Sequence, residues 1–120
     1  MKYLMVEDDP GDVSLLGARL KMQGYDVTVL LPGEALQWNE EQKPDVVQLD
    51  GLGGECFGLL GELKAANNGA RYFIYSADRD VADEARRRRV RFFYKGSELM
   101  ELLKLAESII AGAGRGPAQG

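Results

Sequence analysis

Five short runs rich in β-branched and aromatic residues alternate along this chain with five stretches of helical periodicity, and few folds accommodate that order. The runs are Lys2–Val6, Asp26–Leu31, Asp45–Asp50, Arg71–Tyr75 and Val90–Tyr94. Between them, Val13, Leu16 and Leu20 recur at helical spacing until Gly24, and Glu34–Asn39 fits a short second helix. Phe57, Leu60, Leu63 and Ala66 mark a third, Val81–Arg88 a fourth, and Leu99, Leu102, Leu103, Ala106, Ile109 and Ile110 the longest stripe. The connections are too short for anything but strand, crossover helix, strand, which makes the sheet parallel with helices on both faces. Val46-Val47-Gln48-Leu49 lacks the alternation of a half-exposed strand, as expected for one covered on both sides. The chain of 120 residues is one domain; residues 1–111 form it, and 112–120, rich in glycine and alanine, are expected to be a flexible tail or linker.

Four of these five strands end in a chemically useful group. Glu7 and Asp8 follow the first, Asp50 ends the third in a glycine-rich loop, Ser76 follows the fourth and Lys95 the fifth. In a parallel sheet the carboxyl ends share one edge, so three acids should face one another there. Two like charges about 4 Å apart repel by roughly 4 kcal/mol at an effective dielectric near 20, so such a group either takes up protons or holds a cation. Oxygen ligands alone suit Mg²⁺ or Mn²⁺. A cation, a lysine and a small hydroxyl around one carboxylate would receive a phosphoryl group, with Asp50 as nucleophile. Asp9 and Asp12 read as caps of the first helix.

In this order, Val6-Glu7-Asp8-Asp9-Pro10, Pro44-Asp45-Val46-Val47-Gln48-Leu49-Asp50, Tyr75-Ser76-Ala77 and Tyr94-Lys95 resemble the markers of the receiver domains of two-component response regulators, over almost the whole chain. The resemblance implies a flavodoxin-like α/β fold, a doubly wound five-stranded parallel sheet of order 2-1-3-4-5. It also implies that Asp50 is the phosphoacceptor, charged by a sensor histidine kinase or phosphotransfer protein, and that Asp8, Glu7, Asp50 and the backbone carbonyl of Leu52 serve the metal. Ser76 is then the hydroxyl that moves toward the phosphoryl group, Phe92 the aromatic switch and Lys95 the phosphate's counter-ion. Leu52 and Asp78 line the path of water to the site. Where the family usually has a methionine-proline pair this chain has Gly53-Gly54, implying a more mobile loop, and where a cis proline follows the lysine it has Gly96, implying a trans bond.

Arg86, Arg87, Arg88, Arg89 and Arg91 fall on the fourth helix and the approach to the fifth strand, in the family the surface that reports phosphorylation by dimerisation or partner docking. A net charge of −4 argues against direct nucleic-acid binding. No histidine is present and Cys56 is the only cysteine, which excludes histidine-based catalysis, an internal disulfide and Cys/His zinc sites. An aspartyl phosphatase would need a second acid two residues after Asp50, where Leu52 stands, so the chain is not expected to be an enzyme. The start turns acidic too early for a signal peptide and no apolar run reaches a membrane span's length, so the expected location is cytoplasmic. The alternative function is a degenerate receiver acting as an interaction module independent of phosphorylation.

Overall fold

A computed structural model describes residues 1–115. The strands are β1 (Lys2–Val6), β2 (Asp26–Leu30), β3 (Val46–Leu49), β4 (Arg71–Ser76) and β5 (Phe92–Tyr94), and the helices α1 (Ser14–Met22), α2 (Pro32–Gln42), α3 (Cys56–Ala66), α4 (Arg79–Arg88) and α5 (Leu99–Arg115). All strand pairs are parallel, in the order β2-β1-β3-β4-β5. Successive side chains of a strand point to opposite faces, so β1 feeds two cores. Tyr3 and Met5 join Phe73, Tyr75 and Phe93 under α1 and α5, where Leu16, Leu20, Leu102 and Ala106 cover them. Leu4 and Val6 join Val47, Leu49 and Ile74 under Ala35, Phe57, Leu60, Leu63, Val81 and Ala85 of α2, α3 and α4. Among the described residues no helix is long and apolar enough to cross a membrane.

Three of the element boundaries that differ from the sequence reading have a clear local reason. The second helix runs from Pro32 to Gln42 rather than Glu34 to Asn39. Its inner face carries the fully buried Asn39, whose amide donates to the Leu63 carbonyl at 3.1 Å and whose oxygen accepts from Asn67 at 3.2 Å. A polar residue in that position hides the apolar stripe. The fifth strand begins at Phe92 rather than Val90, because Arg89 turns left-handed (φ 58°) and the Val90 N–H closes α4 on the Ala85 carbonyl at 2.8 Å. Helix α5 continues through residues 111–115, which the sequence reading assigned to the tail from 112 onward. Once the apolar face of α5 is anchored, each added residue needs only one more hydrogen bond. Residues 116–120, the remainder of the expected tail, lie outside the described ones.

One polar pair crosses the sheet interior: the Tyr3 hydroxyl donates to Gln48 Oε1 at 2.5 Å, and both residues are buried. The Tyr3 ring also meets Tyr25 edge to face at 5.1 Å, and Tyr25 bonds the Ala106 carbonyl at 2.6 Å, tying α5 to β1. Tyr3→Phe is expected to cost about 1–3 kcal/mol in urea unfolding, because it strips the Gln48 carbonyl of its donor. Adding Gln48→Leu should recover most of the loss; a double variant as unstable as the sum of the singles would contradict this account.

Candidate functional site

The register places Val6 opposite Leu49, so Glu7 and Asp50 leave their strands side by side. Their backbones stay fixed by the sheet: the Asp50 N–H donates to the Val6 carbonyl at 2.8 Å and the Glu7 N–H to the Leu30 carbonyl at 3.0 Å. One carboxylate oxygen from each of Glu7, Asp8 and Asp50 lies within 4.8 Å of the others, with Glu7 buried, Asp50 half-buried and Asp8 exposed. Among the described residues the Asp8 carboxylate has no hydrogen-bond partner, and the three acids offer an all-oxygen donor set. That set suits a hard divalent cation such as Mg²⁺.

The compensating charge is Lys95. Its ammonium donates to Asp12 Oδ2 at 2.6 Å, Asp50 Oδ1 at 2.7 Å and Glu7 Oε2 at 3.2 Å, and an ammonium has three N–H donors. Burial pushes the Glu7 carboxyl up to about 7, helped by the Asp50 charge and only partly opposed by Lys95. Burial by itself would lower the Lys95 pKa, but the bonds from Asp12 and Asp50 and the charges of Asp50 and Glu7 outweigh it and hold it above its ordinary value. Neither Asp9 nor Asp12 caps a helix. The short 3-10 turn Pro10–Val13 has no side-chain cap, and Asp12 points to Lys95 instead, a contact over 83 residues of sequence that no local pattern signals.

Lys95 is held from below as well. Its N–H donates to the Ser76 carbonyl at 3.0 Å, and the next N–H, of Gly96, donates to the Tyr75 hydroxyl at 3.2 Å. There is no cis peptide bond among the described residues, in agreement with the expected trans Lys95–Gly96 link, and Gly96 adopts φ 81°, which proline cannot.

Ser76, at the end of β4, is buried, and its hydroxyl oxygen accepts the Asp78 N–H at 3.1 Å. Asp78 in turn caps α4, accepting from Asp80 at 2.9 Å and Val81 at 3.4 Å. Ser76 packs against Gly51, the residue after Asp50, where a methyl group would stand 2.6 Å from the Ser76 hydroxyl and 3.2 Å from a Val81 methyl. Gly51 has ordinary helical angles (φ −65°, ψ −28°), so space and not backbone freedom requires it. Among three glycines in four residues, this role could not be told apart in the sequence. Leu52 donates its N–H to Asp50 Oδ2 at 3.0 Å and adopts φ 51°, followed by Gly53 at 63° and Gly54 at 99°. Its carbonyl, the expected backbone ligand, accepts the Glu55 N–H at 3.1 Å and retains one lone pair.

The remaining expected residues lie apart from the cluster. Phe92 packs edge to face on Tyr94 at 5.0 Å and borders a cleft of about 370 Å³ with Arg86 and Arg91. Arg87 and Arg88 pair with Glu84 at 2.7 and 2.6 Å, Arg88 also covers the Phe57 ring, and Arg89 ends α4. Arg86 and Arg91 thus share one cleft, and Arg87 and Arg88 share Glu84.

Because the folded chain binds the Glu7 proton more tightly than the unfolded chain, this group's contribution to stability is full below about pH 4.5 and is lost as pH rises through about 7. In metal-free buffer, wild type should lose on the order of 1–2 kcal/mol relative to Glu7→Gln between pH 4.5 and 8, allowing for solvent screening. Urea unfolding of both proteins at the two pH values measures it, and parallel pH profiles would refute it.

No protein-family model matches this sequence, and no curated protein matches it either. Solved structures do. A response regulator from Thermotoga maritima superposes with a TM-score of 0.76 over 92% of this chain and 97% of its own, at 20% identity. A response regulator protein from Burkholderia pseudomallei, crystallised with a phosphorylated aspartic acid, calcium and citrate, gives 0.70 over 93% and 72%, at 20% identity. The receiver domain of a sensor histidine kinase from Pseudomonas aeruginosa PAO1, with magnesium in its active-site cleft, gives 0.67 over 92% and 97%, at 23% identity. At these identities the likeness is one of architecture: the chain has the flavodoxin-like fold of response-regulator receiver domains, with its strands in the order 2-1-3-4-5.

Proposed function

We propose that this chain is a receiver domain that accepts a phosphoryl group on Asp50 from the phosphohistidine of a sensor kinase or phosphotransfer protein in the cytoplasm, and thereby changes the binding preference of its α4-β5-α5 surface. The observation that carries the reading is the juxtaposition of Asp50, Glu7 and Asp8 with the Lys95 ammonium, 2.7 Å from Asp50. The magnesium and the phosphorylated aspartate of the structural neighbours support it.

In the reaction an Asp50 oxygen attacks phosphorus, the P–N bond breaks with its electron pair going to the imidazole nitrogen, and an acyl phosphate results. Mg²⁺ held by Asp8, Asp50, Glu7 and the free lone pair of the Leu52 carbonyl would supply positive charge for the phosphoryl oxygens. Lys95 neutralises a further oxygen. Ser76 gives up the Asp78 N–H and donates its hydroxyl hydrogen to the new anion, and Phe92 follows beside the cleft that Arg86 and Arg91 line. A second copy of the chain or another protein then reads that surface. Leu52 offers water no partner, and the Asp78 Oδ1 is engaged in capping α4, so the acyl phosphate is long-lived.

A second reading, a constitutive interaction module, draws on the saturated Lys95 and the left-handed run Leu52-Gly53-Gly54. A small phosphodonor with Mg²⁺ should add one phosphate to wild type, seen by intact-mass spectrometry, and none to Asp50→Asn; no adduct with any donor leaves the module reading. In the same assay Leu52→Asn should lose the phosphate faster than wild type, since its amide can hold a water.

A further inference from the structure

Lys95 has no N–H left to give. Its three donors are taken by Glu7, Asp12 and Asp50, and these partners differ in how readily they can let go. The Glu7 side chain is 3% exposed and that of Asp50 14%, whereas Asp12 is 48% exposed and can be rehydrated when it is released. Both ends of the Asp12–Lys95 contact are built on fixed backbone. Asp12 sits in a turn closed by its own N–H on the Asp9 carbonyl at 3.0 Å and anchored by the buried Val13. Lys95 is fixed through Ser76 and Tyr75, as described above.

We infer that Asp12 is a positioning residue that acts as a built-in competitor: its carboxylate holds the Lys95 N–H that an anion arriving at Asp50 must take, and so sets the affinity of the site for a phosphoryl group. The inference rests on the receiver reading and adds to it a residue outside the expected set. Asp12 weakens anion capture and keeps Lys95 turned toward the outer rim until the anion displaces it.

The test uses the whole chain with Mg²⁺ and beryllofluoride, a trigonal anion that coordinates a carboxylate as a phosphoryl group does, with the dissociation constant read by calorimetry. Asp12→Asn should tighten binding about three- to fivefold, the size of a half-exposed ion pair. Asp12→Glu should stay near wild type. Asp9→Asn removes a neighbouring charge that makes no bond to Lys95 among the described residues, and should change binding less. Because contact pairs resist screening better than distant charges, the Asp12→Asn effect should persist in 0.5 M salt while any Asp9→Asn effect fades. Unchanged or weaker binding by Asp12→Asn, or an equal gain in Asp9→Asn, overturns the inference and leaves the receiver reading standing. A lower unfolding temperature with unchanged affinity also overturns it, since it would make the contact merely structural. Failure of wild type itself to bind beryllofluoride overturns the receiver reading and this inference with it.

Discussion

Mutual repulsion of carboxylates at one edge of the sheet is the constraint on which the rest of this structure turns. Parallel strands all deliver their carboxyl ends to the same side, and here two of the five, β1 and β3, deliver three acids. Water cannot screen Glu7, which is buried, so the repulsion has to be met by protonation or by positive charge. Lys95 meets it from the end of the last strand, 88 residues away from Glu7. The ion cluster therefore closes the fold in the sense that β1, β3 and β5 are tied at their ends by one ammonium, although only β1 and β3 pair directly.

Space around that ammonium is regulated by backbone rather than by bulky side chains. Gly51 leaves room for the Ser76 hydroxyl, Gly96 supplies both a left-handed turn and an N–H that Tyr75 accepts, and Leu52 takes a left-handed conformation that costs a residue with a Cβ roughly 1 kcal/mol. In the usual pattern of receivers a proline after the lysine would rigidify the turn. Here the N–H that proline lacks is itself the fastening, donated by Gly96 to the hydroxyl of Tyr75 on the neighbouring strand.

The fold was legible because its cause is periodicity: buried parallel strands and amphipathic helices both leave patterns in a single sequence, and all five of each were found. The cluster of Glu7, Asp8, Asp50 and Lys95 was legible for a related reason, since strand ends in a parallel sheet are neighbours by topology. What escaped was set by tertiary contact. Asn39 disguised the inner face of α2, the true partner of Asp12 lay 83 residues away, and Gly51 stood among other glycines with no local sign that it alone was pressed against a serine. The arginine run is likewise resolved only by the fold, which sets Arg86 and Arg91 at one cleft, pairs Arg87 and Arg88 with Glu84, and uses Arg89 to end α4.

The charge count at the edge also dictates an order of events. Glu7, Asp8, Asp12 and Asp50 face one lysine, so with all four ionised up to three negative charges stand uncompensated. A phosphoryl donor carries further negative charge and would meet that field head on, at roughly 4 kcal/mol for each like pair at 4 Å and an effective dielectric near 20. One ammonium already shared three ways cannot offset it. A divalent cation held by Glu7, Asp8 and Asp50 would remove most of the deficit, and Lys95 would then be free to turn from the carboxylates to an incoming anion. Electrostatics would therefore favour cation before anion, and the Asp8 carboxylate, exposed and without a hydrogen-bond partner among the described residues, is where a cation would arrive without displacing anything.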